Sequence, residues 1–212
     1  MKHYFSKKKV KQQEEIVEDL KEEIIYMSGR EDGNSNGVEI DENKIYFYCP
    51  VGEKEVLDLN KTIKRLDQEM VILGIKLNID PPPIELHIHS EGGSLFAGIA
   101  AYDCIRTCKS PIHTYIDGCA ASAATFLFLA GSKRFLHKNS FMLIHQLSAT
   151  VHGKFEEMRD ELKNQEKLMH TALQIYLERG TLPEEKISEL MKHDLWLDSE
   201  TTLQYGFADK II

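Results

Sequence analysis

Apolar residues alternate with polar ones along Ile84-Glu85-Leu86-His87-Ile88-His89, a period of two that predicts a strand with one buried face. Upstream, Leu59, Ile63, Leu66, Met70 and Leu73 recur at helical spacing and predict a packed helix, preceded by a strand over 44–48. Pro81-Pro82-Pro83 stops any regular element between that helix and the alternating strand. Further on, the pattern predicts a strand from Pro111 to Ile116, an apolar helix from Ala123 to Ala130, and a buried strand over Phe141 to Ile144. Lys154 to Glu178 reads as a long charged helix marked by Met158, Leu162, Leu168, Leu173 and Tyr176. Strands alternating with helices from Ile84 to His145 imply an α/β protein built of repeated β–α units.

The first 40 residues follow another rule. Val17, Leu20, Ile24 and Met27 predict an amphipathic helix over about 10–28, and Ser28 to Gly37 reads as a polar linker. Residues 1–40 are therefore expected to form a helical appendage and linker, and residues 41–212 a single compact domain.

Charge narrows the partners. With 34 acidic against 26 basic residues and a net charge of −8, nucleic acid is not expected as a main partner. The basic stub of Lys2, Lys7, Lys8, Lys9 and Lys11 lacks the aromatic or glycine interleaving of a nucleic-acid module and reads as a solvated tail. No segment is apolar for the ~18–20 residues of a membrane span, and no signal-peptide core follows the stub, so a soluble cytoplasmic protein is expected. Cys49, Cys104, Cys108 and Cys119 read as reduced, packed thiols. His87 with His89, and Cys104 and Cys108 with His113, are read as hydrogen-bonded or packed side chains; no metal and no cofactor are expected.

Candidate chemistry centres on Ser122, in Asp117-Gly118-Cys119-Ala120-Ala121-Ser122-Ala123-Ala124, where nearly every neighbour is too small to cover it. At a strand-to-helix junction its hydroxyl stands beside unpaired N–H groups that suit a developing oxyanion. The competing reading is an ordinary serine N-cap. His145 emerges where the apolar strand ends, and Asp194 lies between a charged helix and the apolar Leu195-Trp196-Leu197, which is expected to bury its carboxylate in part. In chain order these three make a candidate nucleophile, base and orienting acid.

Four blocks then carry a resemblance: Ser90-Glu91-Gly92-Gly93-Ser94, Gly118-x-Ala120-Ala121-Ser122-Ala123-Ala124, Ile144-His145-Gln146, and Asp194 with the segment from Asp198 to Asp209. In this order they resemble the ClpP family of serine peptidases over about 84–212. The resemblance implies the superhelix of β–α units that these peptidases share with crotonases, with 154–178 as a protruding handle helix. It puts Ser122, His145 and Asp194 on the catalytic triad, and Gly93 and Ala123 on the two oxyanion-hole amides. It implies an endopeptidase acting on unfolded protein or peptide bound beside Ser94, Leu95, Gln146, Leu147 and Ser148. It further implies stacked heptameric rings fed by a separate Clp-type ATPase, since no phosphate-binding loop occurs in this chain.

The chain departs from the family pattern at Glu91 and Leu147, each in place of a usual proline, and in a slightly short stretch between Ser122 and His145. Glu91 brings a negative charge toward the peptide groove, which bears on substrate preference. The first 40 residues match no axial-loop region of the family. Alternatives are a catalytically idle ring subunit, a peptidase of the type that processes phage capsid proteins, and a crotonase-like acyl-CoA enzyme with the same two-amide oxyanion hole.

Overall fold

The structure is a computed structural model and describes residues 37–212. The helix expected over 10–28, its linker and the basic stub lie outside the described residues. Strand β1 (Val38–Asp41) pairs antiparallel with β2 (Lys44–Phe47), so the sheet runs across the boundary expected between residues 40 and 41.

Helix α1 (Glu53–Leu77) buries Leu59, Ile63 and Leu66 on one face, as the 3.6-residue period requires. It ends where Asn78 takes the left-handed conformation at φ 54°, and the Ile79 N–H donates back to the Gly74 carbonyl at 3.0 Å. Asparagine tolerates that backbone, and the prolines beyond cannot continue a helix. Next come β3 (Ile84–Ser90), α2 (Leu95–Arg106), β4 (Ile112–Ala121) and α3 (Ala124–Leu129). Strands β5 (Lys133–Leu136) and β6 (Phe141–Leu143) lead to the long helix α4 (Phe155–Arg179). Helix α5 (Glu184–Leu190), β7 (Trp196–Asp198), α6 (Ser199–Gln204) and β8 (Lys210–Ile211) complete the chain.

The main sheet has the order β1-β2-β3-β4-β5-β8, parallel from β2 onward. Strand β4 serves two partners. Its first half, His113 to Ile116, pairs with β5, and its second half, Cys119 to Ala121, pairs with β6. That division extends β4 five residues past the Ile116 end predicted from sequence, because backbone pairing overrides the weak strand preference of Asp117-Gly118-Cys119-Ala120-Ala121. An irregularity in β3 between Ile88 and Ser90 lets the sheet follow β4 there.

Helix α4 has two parts. Its C-terminal end buries Ala172, Ile175 and Tyr176 in the core, while its N-terminal end leaves Phe155, Met158 and Leu162 exposed. A two-pronged arginine anchor fixes the buried end: Arg179 donates to the carbonyls of Leu129 (2.7 Å) and Gly131 (2.6 Å), and Arg134 donates to the Arg179 carbonyl. The result is the mixed α/β fold of parallel β–α units with a protruding helix.

Candidate active site

Strand pairing alone brings two of the expected residues to one end of the sheet. Ala121 pairs with Leu143 in register, and the Ser122 N–H donates to the Leu143 carbonyl at 2.9 Å. Ser122 leaves β4 and His145 leaves β6 at the same rim, and both line one cleft of about 240 Å³.

Ser122 has a φ of 54°. A non-glycine residue in the left-handed region costs about 1–2 kcal/mol, and here the strain turns the side chain out of the strand-to-helix corner. Ala123, not Ser122, is the N-cap of helix α3, and it gives no side-chain cap. The N-cap reading of the serine is thereby corrected: among the described residues its hydroxyl has no hydrogen-bond partner, and only its carbonyl serves the helix, accepting from the Thr125 N–H (3.0 Å) and the Thr125 hydroxyl (2.6 Å).

Two backbone donors flank the hydroxyl. The Gly92-Gly93 loop is held by Val51, whose N–H donates to the Gly92 carbonyl and whose carbonyl accepts from the Ser94 N–H, both at 2.8 Å. This ladder turns the Gly93 N–H away from Val51, and among the described residues neither it nor the Ala123 N–H has an acceptor. Glycine is required at 92: with φ at 96°, a Cβ there would lie 2.5 Å from the Ala121 carbonyl oxygen and 2.6 Å from the Ser122 Cβ.

On the opposite side, His145 Nδ1 lies 2.7 Å from Asp194 Oδ1. An ionised carboxylate only accepts, so Nδ1 carries a proton, and in the neutral imidazole Nε2 then keeps its lone pair. The Gln146 N–H donates to the Met191 carbonyl at 2.6 Å, which ties the His145 loop to the segment that carries Asp194. Asp194 itself is not partly buried as expected: its side chain is 78% exposed. The reason is the alternation of β7, an edge strand that buries Leu197 and leaves Trp196 exposed, with Leu195 exposed just before it. No hydrogen bond joins Ser122 to His145 in this arrangement.

Leu95, Gln146, Leu147 and Ser148 line the cleft. Ser94 does not; its hydroxyl accepts from the Ala97 N–H at 3.3 Å and caps α2. Sequence reading missed the far wall, where Phe126 of α3 meets Leu168, Met169, Ala172 and Tyr176 of α4. Their spacing on α4 is helical, which was the available signal, but nothing local says that this face looks onto Ser122. Glu91 also lines the rim.

Elsewhere, His87 stacks between Tyr46 (4.9 Å) and Tyr115 (4.6 Å), with Nδ1 2.9 Å from Asp117. Burial alone would raise the Asp117 carboxyl, but bonds from His87 and Tyr48 bring it below its ordinary value. Helix α2 stops at Arg106, so Cys108 sits just past its end, with its thiol 3.2 Å from the Cys104 carbonyl. Among the described residues no three His, Cys, Asp or Glu side chains are grouped to hold a metal, and no helix is long and apolar enough to cross a membrane.

Comparison with known proteins agrees with this architecture. A sequence model described as Clp protease matches residues 41–212. The ATP-dependent Clp protease proteolytic subunit of Deinococcus radiodurans is 36% identical over 131 residues, spanning 61% of this chain and 64% of that protein's length. Proteolytic subunit 2 of Treponema denticola is 33% identical over 156 residues, 73% of this chain and 78% of that protein. Among solved structures, a mutant of ClpP1 from Listeria monocytogenes superposes with a TM-score of 0.67 at 25% identity, covering 78% of this chain and 88% of that one. The chain belongs to the Clp protease family of serine peptidases.

Proposed function

We propose that this chain is a serine endopeptidase that hydrolyses unfolded proteins and peptides through an acyl-enzyme. The observation that supports it most is convergence: the unpartnered Ser122 hydroxyl, His145, and the free N–H groups of Gly93 and Ala123 meet at one cleft, with Asp194 on the far side of the imidazole.

In this reading Ser122 Oγ attacks the scissile carbonyl and gives its proton to His145 Nε2. The carbonyl oxygen becomes an oxyanion held by the Gly93 and Ala123 amides. Asp194 holds the imidazole tautomer and stabilises its cation. The C–N bond breaks as Nε2 returns the proton to the leaving amine, and water hydrolyses the ester by the same relay. Backbone groups at Gly93 and Leu95 and at Gln146 to Ser148 flank the cleft and suit an extended peptide.

The relatives named above are subunits of an ATP-dependent protease, which supports assembly into stacked rings with a separate ATPase as feeder. The crotonase-like alternative uses two amides for a thioester oxyanion and has no use for a paired His145 and Asp194.

The test is Ser122→Ala with a fluorogenic peptide and an active-site serine probe. A loss of about 10³-fold or more in kcat/KM together with loss of labelling is expected. Turnover near wild type in the variant would overturn the assignment.

A further inference from the structure

The cleft carries one charge that the proposed chemistry does not use. Glu91 stands at its rim, immediately before the Gly92-Gly93 turn, and among the described residues its carboxylate has no hydrogen bond or ion pair. Among the described residues no lysine or arginine lines the cleft, and the wall beyond Ser122 is apolar. An acidic side chain on a mobile loop would mean little. This loop is fixed, with Val51 bonded to both Gly92 and Ser94 and the Gly92 N–H donating to the Ser90 hydroxyl at 3.2 Å. The field of Glu91 also reaches inward: the Cys119 thiol, in the strand that leads to Ser122, is pushed up by burial and then by the Glu91 charge.

We infer that Glu91 forms a subsite for a cationic side chain, so that the cleft favours peptides bearing lysine or arginine close to the scissile bond. This rests on the peptidase reading and gives it a substrate class. A bound ammonium or guanidinium would meet a carboxylate that is unpaired among the described residues, while its methylene stem would lie on the apolar wall. Because Glu91 is exposed, the gain has the size of a solvated ion pair, about two- to fivefold in kcat/KM. It acts on selection among peptides, not on the chemical step.

The experiment uses the full-length protein and otherwise neutral peptides in which one lysine, or norleucine as control, is moved a position at a time across the scissile bond. At one or more positions lysine should be preferred about two- to fivefold, an advantage that shrinks as salt rises. Glu91→Gln should abolish the advantage and Glu91→Lys should reverse it. The proposal is overturned if no position favours lysine or if the preference survives intact in Glu91→Gln. Binding of the same peptides to Ser122→Ala, read by fluorescence anisotropy with and without Glu91→Gln, tests the subsite apart from turnover. Loss of lysine selectivity there supports the subsite even if Ser122 proves not to be the nucleophile, and equal binding of lysine and norleucine peptides rejects it while leaving the peptidase reading intact.

Discussion

Tyr176 Oη lies 2.8 Å from Thr125 Oγ1 inside the core, and Thr125 in turn donates to the Ser122 carbonyl at 2.6 Å. Thr125 has one hydroxyl proton and spends it on Ser122, so Tyr176 must be the donor of the other bond. The protruding helix α4 is thus joined to the strained serine corner through two hydrogen bonds. Tyr176→Phe removes one donor and is expected to cost about 1 kcal/mol of stability. Thr125→Val leaves the buried phenol without an acceptor and releases the Ser122 carbonyl from the hydroxyl, at about 1–3 kcal/mol. Thermal unfolding should therefore rank Thr125→Val below Tyr176→Phe, with peptidase kcat falling in the same order. Equal stability of the two variants would mean that the phenol finds another partner.

The backbone at Ser122 makes a second prediction. At a φ of 54° any Cβ is strained, and alanine keeps that strain while glycine removes it. Ser122→Ala and Ser122→Gly should both be inactive, yet Ser122→Gly should be more stable than Ser122→Ala by about 0.5–1 kcal/mol, after the entropy glycine loses on folding. Denaturant unfolding of the pair measures this directly. An alanine variant as stable as the glycine one would show that the left-handed corner is not strained.

How far such features were legible depends on whether their cause is local. The alternation of Ile84 to His89 and the stripe Leu59, Ile63, Leu66 and Met70 state their elements outright, because burial of one face sets the period. Ser122 stood out through its small neighbours, and His145 through the strand that ends before it. The register that brings the two together is invisible locally: it comes from Ala121 pairing with Leu143, contributed by a stretch of β4 whose residues look like a loop. The exposure of Asp194 is hidden in the sequence for the opposite reason, since Leu195-Trp196-Leu197 looks apolar but alternates along an edge strand and buries only Leu197. Tyr176 could be marked as an apolar position on its helix, yet its bond to Thr125, 51 residues away, belongs to tertiary structure alone.

A buried carboxylate makes acid stability predictable. Asp67 on α1 accepts from the Ser110 N–H (2.7 Å) and the Lys109 N–H (3.1 Å), holding the turn between α2 and β4. Burial by itself would raise its pKa, but these bonds, with the Lys64 charge, bring it below the ordinary carboxylate value. A lowered folded-state pKa means that the stabilisation is complete above the unfolded value of about 3.9 and is lost as pH falls through the folded one. Asp67→Asn should thus cost about 1–3 kcal/mol at neutral pH, with the gap to wild type constant down to about pH 5 and closing below about pH 4. A gap that does not narrow in acid would assign the effect to packing.

Where the N-terminal segment can be cut follows from β1. Val38 is 8% exposed and packs in the core, and β1 covers the edge of β2. A chain starting at Gly37 is expected to hydrolyse short peptides within a few-fold of the full-length protein. A chain starting at Glu42 bares the β2 edge and the core beneath Val38, and should aggregate or unfold at lower temperature. Size-exclusion chromatography with a fluorogenic peptide compares them. If both truncations lose activity and defined size, residues 1–36 are part of the working enzyme and not an appendage.

The last prediction concerns the pair formed by His145 and Asp194. Removing the carboxylate from a buried triad costs about 10⁴-fold in kcat, but here the Asp194 side chain is 78% exposed in the single chain, where water weakens its hold on the imidazole. Just after it Leu195 (62%) and Trp196 (48%) are exposed as well, an apolar rim with no cover among the described residues. A second copy seated on that rim would exclude water from the carboxylate and strengthen the bond that fixes His145. Activity per subunit should therefore rise with protein concentration, in step with the mass measured by light scattering. Asp194→Asn should lower kcat by well over tenfold and flatten that dependence, because an amide gains little from exclusion of water and offers Nδ1 no anion. Trp196→Asp should shift the rise to higher concentration by placing a charge in the covered patch. Specific activity that stays constant while the mass changes would show that Asp194 works as exposed as it stands in the single chain, and that the rim serves some purpose other than completing the site.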